Sequence, residues 1–254
     1  MQAFDLTGRV AIVTGGNGGI GLGMARGLAS AGASIIVAAR NQEKSARAVE
    51  ELAGLDVQAI AVQTDVTDED AVTALVEATI EHFGRVDVLV NNAGMNIRKP
   101  PQDLSLAEWR LIMDTNLTSA FLLSKAVYPH MKAQGGGKIV NIGSMMAIFG
   151  IPFSAAYASS KGGLVQLTKV LATAWAADHI QVNAVLPGWI DTDLTIGARS
   201  EIPGFHERIL SRIPDGRWGD IDDLSGIAVF LASSASDYIT GTAIPVDGGY
   251  SVLG

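Results

Sequence analysis

Seven short apolar runs, rich in β-branched residues, punctuate the chain at 9–14, 34–39, 57–63, 86–92, 138–143, 180–186 and 242–247. Within each run the apolar residues follow one another with little polar alternation, the pattern of strands covered on both faces. Between them lie stretches with helical spacing, at about 19–31, 43–53, 68–83, 106–133, 155–178 and 220–232. Asp68 and Asp220 stand where N-caps are expected. Strand and helix alternating in this way predict right-handed crossovers and a parallel sheet. The expected fold is α/β: a single doubly wound domain over 1–254, with a seven-stranded parallel sheet and helices on both faces. No linker or tandem repeat interrupts it. The least regular stretch, 188–219, is expected to be a lid or binding segment, because loops that long inside compact domains usually serve one of those ends.

Composition narrows the function classes. Of 254 residues, 48% are hydrophobic and 17% charged, ample for a core and unlike a disordered chain. The net charge of −8 argues against nucleic acid as a partner, since phosphate backbones select a basic face. A small anionic ligand remains compatible, because a few local cations serve one. There is no cysteine, which excludes disulfides, thiolate nucleophiles and thiolate metal sites. His82, His130, His179 and His206 show no close pairing and are read as helix-surface or helix-end residues. The start, MQAFDLTGRVAIVT, carries no basic segment followed by an apolar one, and no apolar run reaches bilayer length. A soluble cytoplasmic protein is the expectation.

The first candidate chemistry is TGGNGGIG at 14–21, directly after the first strand and opening a helix. Glycines there admit a pyrophosphate close to the backbone, and the helix N-terminus supplies amide hydrogens and a positive dipole end. The glycines read in two frames, Gly15, Gly19, Gly21 or Gly16, Gly18, Gly21. An NAD site expects an acid about 20 residues on. The second strand instead ends in Arg40, with Glu43 the next acid. A guanidinium there suits a 2′-phosphate and favours NADP(H), with NAD(H) not excluded; the alternative is a solvated strand-end arginine. Asp65, after the third strand, is placed to accept from an adenine amine, or else is a turn or cap residue.

The second is SAAYASSKGG at 154–163. Tyr157 and Lys161 stand one helical turn apart among small residues that leave room for ligands. A free phenol titrates near 10, too high for proton transfer at neutral pH, and a neighbouring ammonium is expected to draw it down. Ser144 follows the fifth apolar run, at the carboxyl end of a strand where open α/β sheets bind ligands, and its hydroxyl is placed to bond a carbonyl oxygen.

Together with N-N-A-G at 91–94, Asn116 in DTNLTS, LPG at 186–188 and VDGG at 246–249, these motifs closely resemble the short-chain dehydrogenase/reductase family over essentially the whole chain. The resemblance implies a Rossmann-type sheet in the order 3-2-1-4-5-6-7 and an NAD(P)(H)-dependent alcohol–ketone interconversion. It implies that Tyr157 is the general acid/base, that Ser144 orients the substrate oxygen, and that Lys161 lowers the tyrosine pKa and holds the nicotinamide ribose. It implies that Asn116 keeps a water in a proton relay. It assigns Gly15, Asn17, Gly19, Ile20, Gly21, Arg40, Asp65 and Val66 to the cofactor's adenosine and phosphate side. It implies that Asn92, Ala93 and Gly94 pass beside the cofactor, and that Pro187, Gly188, Ile190 and Thr192 close over its nicotinamide end. Gly18 falls where some NADP-using members carry a basic residue, which counts against NADP where Arg40 counts for it.

The C-terminal stretch 212–250, with GRWG at 216–219 and MNIRKP at 95–100, is similar to the sugar-acid branch of that family, acting on gluconate and ketogluconate. An anionic polyol agrees with the cations expected near the site, Arg98, Lys99, Arg199, Arg208 and Arg212. Arg98 is the candidate for the substrate carboxylate. Two readings compete: a 3-oxoacyl-carrier-protein or other carbonyl reductase of the same fold, and a non-enzymatic dinucleotide-binding regulator. The long helical stretches at 106–133 and 155–178 are richer in apolar residues than one side of a sheet needs. With the resemblance, they point to a homo-oligomer, a dimer or tetramer.

Overall fold

Each apolar run becomes a strand in the computed structural model, which describes residues 2–201 and 203–253. The strands are β1 Val10–Thr14, β2 Ser34–Ala39, β3 Ala59–Gln63, β4 Val88–Asn91, β5 Gly137–Ile142, β6 Ile180–Pro187 and β7 Ala243–Val246. Among the described residues they form one seven-stranded sheet in the order β3-β2-β1-β4-β5-β6-β7, parallel throughout. In the middle of the sheet Ile12 lies opposite Ile36 on one side and Leu89 on the other.

The helices are α1 Gly19–Ser30, α2 Gln42–Ala53, α3 Glu69–Phe83, α4 Leu106–Met113, α5 Ser119–Ala133, α6 Ala155–Trp175, α7 Asp193–Glu201, α8 Phe205–Leu210 and α9 Ser225–Ala232. Strand residues alternate between two cores. Ala11, Val13, Ile35 and Val37 meet Met24 and Leu28 of α1 and Leu231 of α9. Val10, Ile12, Ile36 and Leu89 meet Leu75 of α3, Val127 of α5 and Leu171 of α6. Both faces are thus covered, which is why the runs read as uninterrupted apolar sequence. A third cluster, Met145, Leu186, Phe205, Ile209, Ile213 and Tyr250, packs α8 against the end of β6.

Asp68 and Asp220 cap as expected: Asp68 accepts from the amides of Asp70 and Ala71, and Asp220 from Asp222. Asp220 heads a 3-10 turn, Ile221–Leu224, before α9 begins. Several stretches differ from expectation. The single helix expected over 106–133 is broken by a π-helical turn at Asp114–Thr118, whose Asn116 bonds elsewhere in the fold. The third and fourth strands start two residues late, and just ahead of the fourth the buried Asp87 turns its carboxylate onto the Val10 amide at 2.9 Å. The stretch 188–219 carries α7 and α8 rather than irregular chain. Among the described residues no helix is long and apolar enough to cross a membrane, and no His, Asp and Glu group is arranged to hold a metal ion.

Candidate active site

The carboxyl ends of β1, β4, β5 and β6 open into one cavity of about 340 Å³. Its walls unite most of the sequence-predicted residues: Gly15, Asn17, Gly19 and Ile20 after β1, Asn92, Ala93 and Gly94 after β4, and Ser144, Tyr157 and Lys161 after β5. Pro187, Gly188, Ile190 and Thr192 close it after β6, and Arg98 lies in the same wall.

The glycine end is shaped by close approach. A Cβ on Gly21 would lie 2.4 Å from both the Gly15 carbonyl oxygen and Asn92 Nδ2. Gly15 and Gly19 take positive φ, 62° and 52°. Asn92 Nδ2 donates to the carbonyls of Thr14 at 2.9 Å and Gly15 at 3.3 Å, so β4 holds the loop in place. No side chain caps α1 and no acid stands in its first turn, so its leading amides and positive dipole end are left for an anion. The Thr192 side chain closes over this loop, 3.5 Å from where Gly19 would carry a Cβ. These features fit a dinucleotide pyrophosphate.

Gly21, Arg40, Asp65, Val66 and Asn116 are not in the cavity wall. Gly21 lies behind Gly15. Arg40 is exposed at the end of β2. Asp65 takes the turn role: one carboxylate oxygen accepts from the Thr67 amide at 3.0 Å and hydroxyl at 2.7 Å. Those bonds, with the Arg40 charge nearby, hold its pKa low. Val66 is buried in the core under β2 and α3.

At the chemical end, Ser144 Oγ accepts from the Met146 amide at 3.1 Å, and its hydroxyl stands near enough to Tyr157 to pull the phenol pKa down. Burial pushes the phenol pKa up; the Ser144 bond and the Arg98 charge pull against it without prevailing. The Lys161 ammonium donates to the Ile142 carbonyl oxygen at 2.6 Å and lies 5.6 Å from the centre of the Tyr157 ring. Burial draws Lys161 itself down to about 8. The phenol therefore stands protonated at neutral pH, with burial outweighing the Ser144 and Arg98 influences that lower its pKa.

Asn116 is 2% exposed and works as a clamp. It donates to the Met95 carbonyl at 2.9 Å and to Ser160 Oγ at 3.1 Å, and accepts from the Met95 amide at 2.8 Å. Both amide hydrogens are used within the protein, so a water relay at this residue rests on its remaining acceptor positions.

Of the five cations expected near the site, only Arg98 lines it. Lys99 pairs with Glu108, and Arg199 with Asp191. Arg208 stacks on Phe205 at 5.5 Å and Arg212 on Tyr250 at 4.5 Å. The sequence reading missed wall residues Lys44, Phe153, Trp189 and Asp193, and named Asn96 only as part of MNIRKP. Asn96 donates to Ser154 Oγ at 3.0 Å, while its own buried Oδ1 has no hydrogen-bond partner. Nothing in their local spacing marks these residues; only the chain crossings bring them together.

A family sequence model described as enoyl-(acyl carrier protein) reductase matches residues 15–251. The chain is similar to a 2-dehydro-3-deoxy-D-gluconate 5-dehydrogenase of Escherichia coli, 41% identical over 251 residues covering 98% of each chain. It is similar to a gluconate 5-dehydrogenase of Gluconobacter oxydans, 41% identical, covering 98% of this chain and 97% of that one. Among solved structures, a gluconate 5-dehydrogenase from Burkholderia cenocepacia in complex with NADP and tartrate superposes with a TM-score of 0.94. It is 39% identical, covering 99% of this chain and 98% of that one.

Proposed function

The chain belongs to the short-chain dehydrogenase/reductase family, and on that premise we propose that it is an NADP(H)-preferring oxidoreductase interconverting a secondary alcohol and a ketone on a gluconate-type sugar acid. One observation carries the substrate class: Arg98 lies in the cavity wall close enough to act on the Tyr157 hydroxyl. A carboxylate held by that guanidinium brings the rest of a short polyol acid to the proton donor. The names of the relatives, dehydrogenases of gluconate and its keto derivatives, support the same reading.

The nicotinamide coenzyme, when bound, supplies the hydride-transfer chemistry. The residues present fit it. The glycine loop and the uncapped start of α1 hold the pyrophosphate, Arg40 favours the 2′-phosphate, and Asp65 and Val66 border the adenosine side. Asn92, Ala93, Gly94, Pro187, Gly188, Ile190, Thr192 and Lys161 enclose the nicotinamide side. Ser144 gives its proton towards Tyr157 and is itself held by the Met146 amide, leaving the Tyr157 proton for the substrate oxygen. The buried phenol, kept protonated, is the general acid of ketone reduction. The Tyr157 hydroxyl, held in place beside Ser144, stabilises negative charge on that oxygen by preorganised donation. Exposed Leu111, Phe121 and Val170 on α4, α5 and α6, each about half exposed, support the homo-oligomer expected from the sequence.

The test is turnover, followed by coenzyme absorbance, with NADPH and NADH separately against 5-keto-D-gluconate, a 2-keto-3-deoxygluconate-type acid and an acetoacetyl thioester. Reduction of a keto sugar acid with NADPH is expected. Turnover of the thioester alone would move the chain to acyl-carrier chemistry.

A further inference from the structure

Among the described residues, three cations line the cavity: Lys44, Arg98 and Lys161. Arg98 and Lys161 stand at the Tyr157 end. Lys44, one turn into α2, faces the glycine loop at the other. Its Cε and Nζ each lie 2.7 Å from the point where Gly18 would carry a Cβ, so the bare backbone at Gly18 is what admits the ammonium. Loop and helix are tied here: Asn17 Nδ2 donates to Ser45 Oγ at 3.1 Å, and Asn41 caps α2 by accepting from the Lys44 amide at 2.9 Å. The positive dipole end of α2 thus lies beside the ammonium.

We propose that Lys44 is the residue that reads the coenzyme's 2′-phosphate, supplying from α2 the cation that Gly18 does not. This rests on the coenzyme part of the function above. The ammonium now pairs with Asp193 Oδ2 at 3.1 Å, across the cavity mouth to the first residue of α7. Both side chains are exposed, 49% and 89%, and an exposed single pair of this kind holds weakly. A phosphate dianion is the stronger partner, because both its charge and its oxygens exceed those of one carboxylate. Lys44 therefore exchanges Asp193 for the phosphate, and Asp193 acts as the competitor that a coenzyme lacking the phosphate leaves in place. Arg40, outside the cavity wall, contributes its charge from the end of β2.

The experiment is calorimetric titration of the full chain with 2′,5′-ADP and with 5′-AMP, which differ only in that phosphate. Lys44→Ala is expected to weaken 2′,5′-ADP about tenfold, the size of one charge-assisted hydrogen bond, and to leave 5′-AMP unchanged. Adding Gly18→Arg to Lys44→Ala should restore the preference. Gly18 has an extended backbone (φ 175°), and the space its side chain needs is the space Lys44 vacates. Asp193→Asn should tighten 2′,5′-ADP alone. Equal losses for both nucleotides, no loss for either, or a wild type that binds 2′,5′-ADP no tighter than 5′-AMP overturns the proposal. If the wild type binds neither nucleotide, the dinucleotide reading itself fails. Ligand-free melting temperatures of every variant separate these outcomes from misfolding.

Discussion

The Lys161 ammonium donates to the Ile142 carbonyl oxygen at 2.6 Å, while the Tyr157 ring centre lies 5.6 Å from it. The side chain is 4% exposed, and burial draws its pKa to about 8 from 10.5. Between those values the unfolded chain holds a proton that the folded chain has released, so raising the pH there favours the folded state. Below pH 8 both states hold the proton and the folded protein carries the full cost of a buried charge. Lys161→Met removes that cost and forfeits one hydrogen bond. The ligand-free variant is expected to melt ~2–4 °C higher at pH 7, about 1 kcal/mol for a chain of this size. The advantage should shrink as the pH rises beyond 8, and turnover should be lost. A melting series over pH checks the sign.

Tyr157 behaves oppositely, its pKa pushed up by burial against the Ser144 bond and the Arg98 charge. Ketone reduction should hold its rate through neutral pH and fall only in alkali, as the phenol ionises. Tyr157→Phe should cut turnover roughly 10²–10⁴-fold, the range of general acid catalysis, while coenzyme binding and melting temperature stay put. A variant retaining its rate would assign the proton to another group.

Gly21 and Gly226 are both glycines in the first turn of a helix, but only one has room for a side chain. A Cβ on Gly21 meets backbone oxygen and Asn92 Nδ2 at 2.4 Å; one on Gly226 meets nothing within 4 Å. Gly21→Ala is expected to lower both the melting temperature and the affinity for 2′,5′-ADP, because the loop must shift. Gly226→Ala should be neutral or stabilising by about 0.5–1 kcal/mol, through the entropy of the unfolded chain. Equal effects would contradict the close approach at Gly21.

Asp87, 3% exposed, links the starts of β1 and β4. Burial alone would raise its pKa. Hydrogen bonds from Arg85 at 2.6 and 2.8 Å, Arg9 at 2.8 Å and the Val10 amide at 2.9 Å outweigh this and lower it. The stability it contributes is present above the unfolded value near 3.8 and is lost as the pH falls through the lower folded value. Asp87→Asn should cost about 2 kcal/mol at neutral pH, and the two proteins should converge in acid. Denaturant titrations at both pH values check this.

The sequence made the sheet legible because strands covered on both faces leave an unmistakable run of apolar residues, and each run became a strand. The glycine loop and the Ser144, Tyr157, Lys161 set were legible because their chemistry constrains local spacing. What stayed hidden depends on partners far along the chain. The break at Asp114–Thr118 accompanies the Asn116 bonds to Met95 and Ser160. Asp65, read as a ligand or a turn residue, also satisfies its own turn through Thr67. Arg199 and Lys99 looked like site cations and are engaged by Asp191 and Glu108. Lys44 had no sequence signal, since only folding lays α2 beside Gly18.

The most direct measurement is the KM of Arg98→Ala for a keto sugar acid beside its KM for an uncharged ketone of similar size. A guanidinium holding the carboxylate predicts a KM at least about tenfold higher for the acid, with little change for the ketone. An equal change for both substrates would contradict the account, leaving Arg98 as a general electrostatic influence on Tyr157 and the substrate class without its anchor.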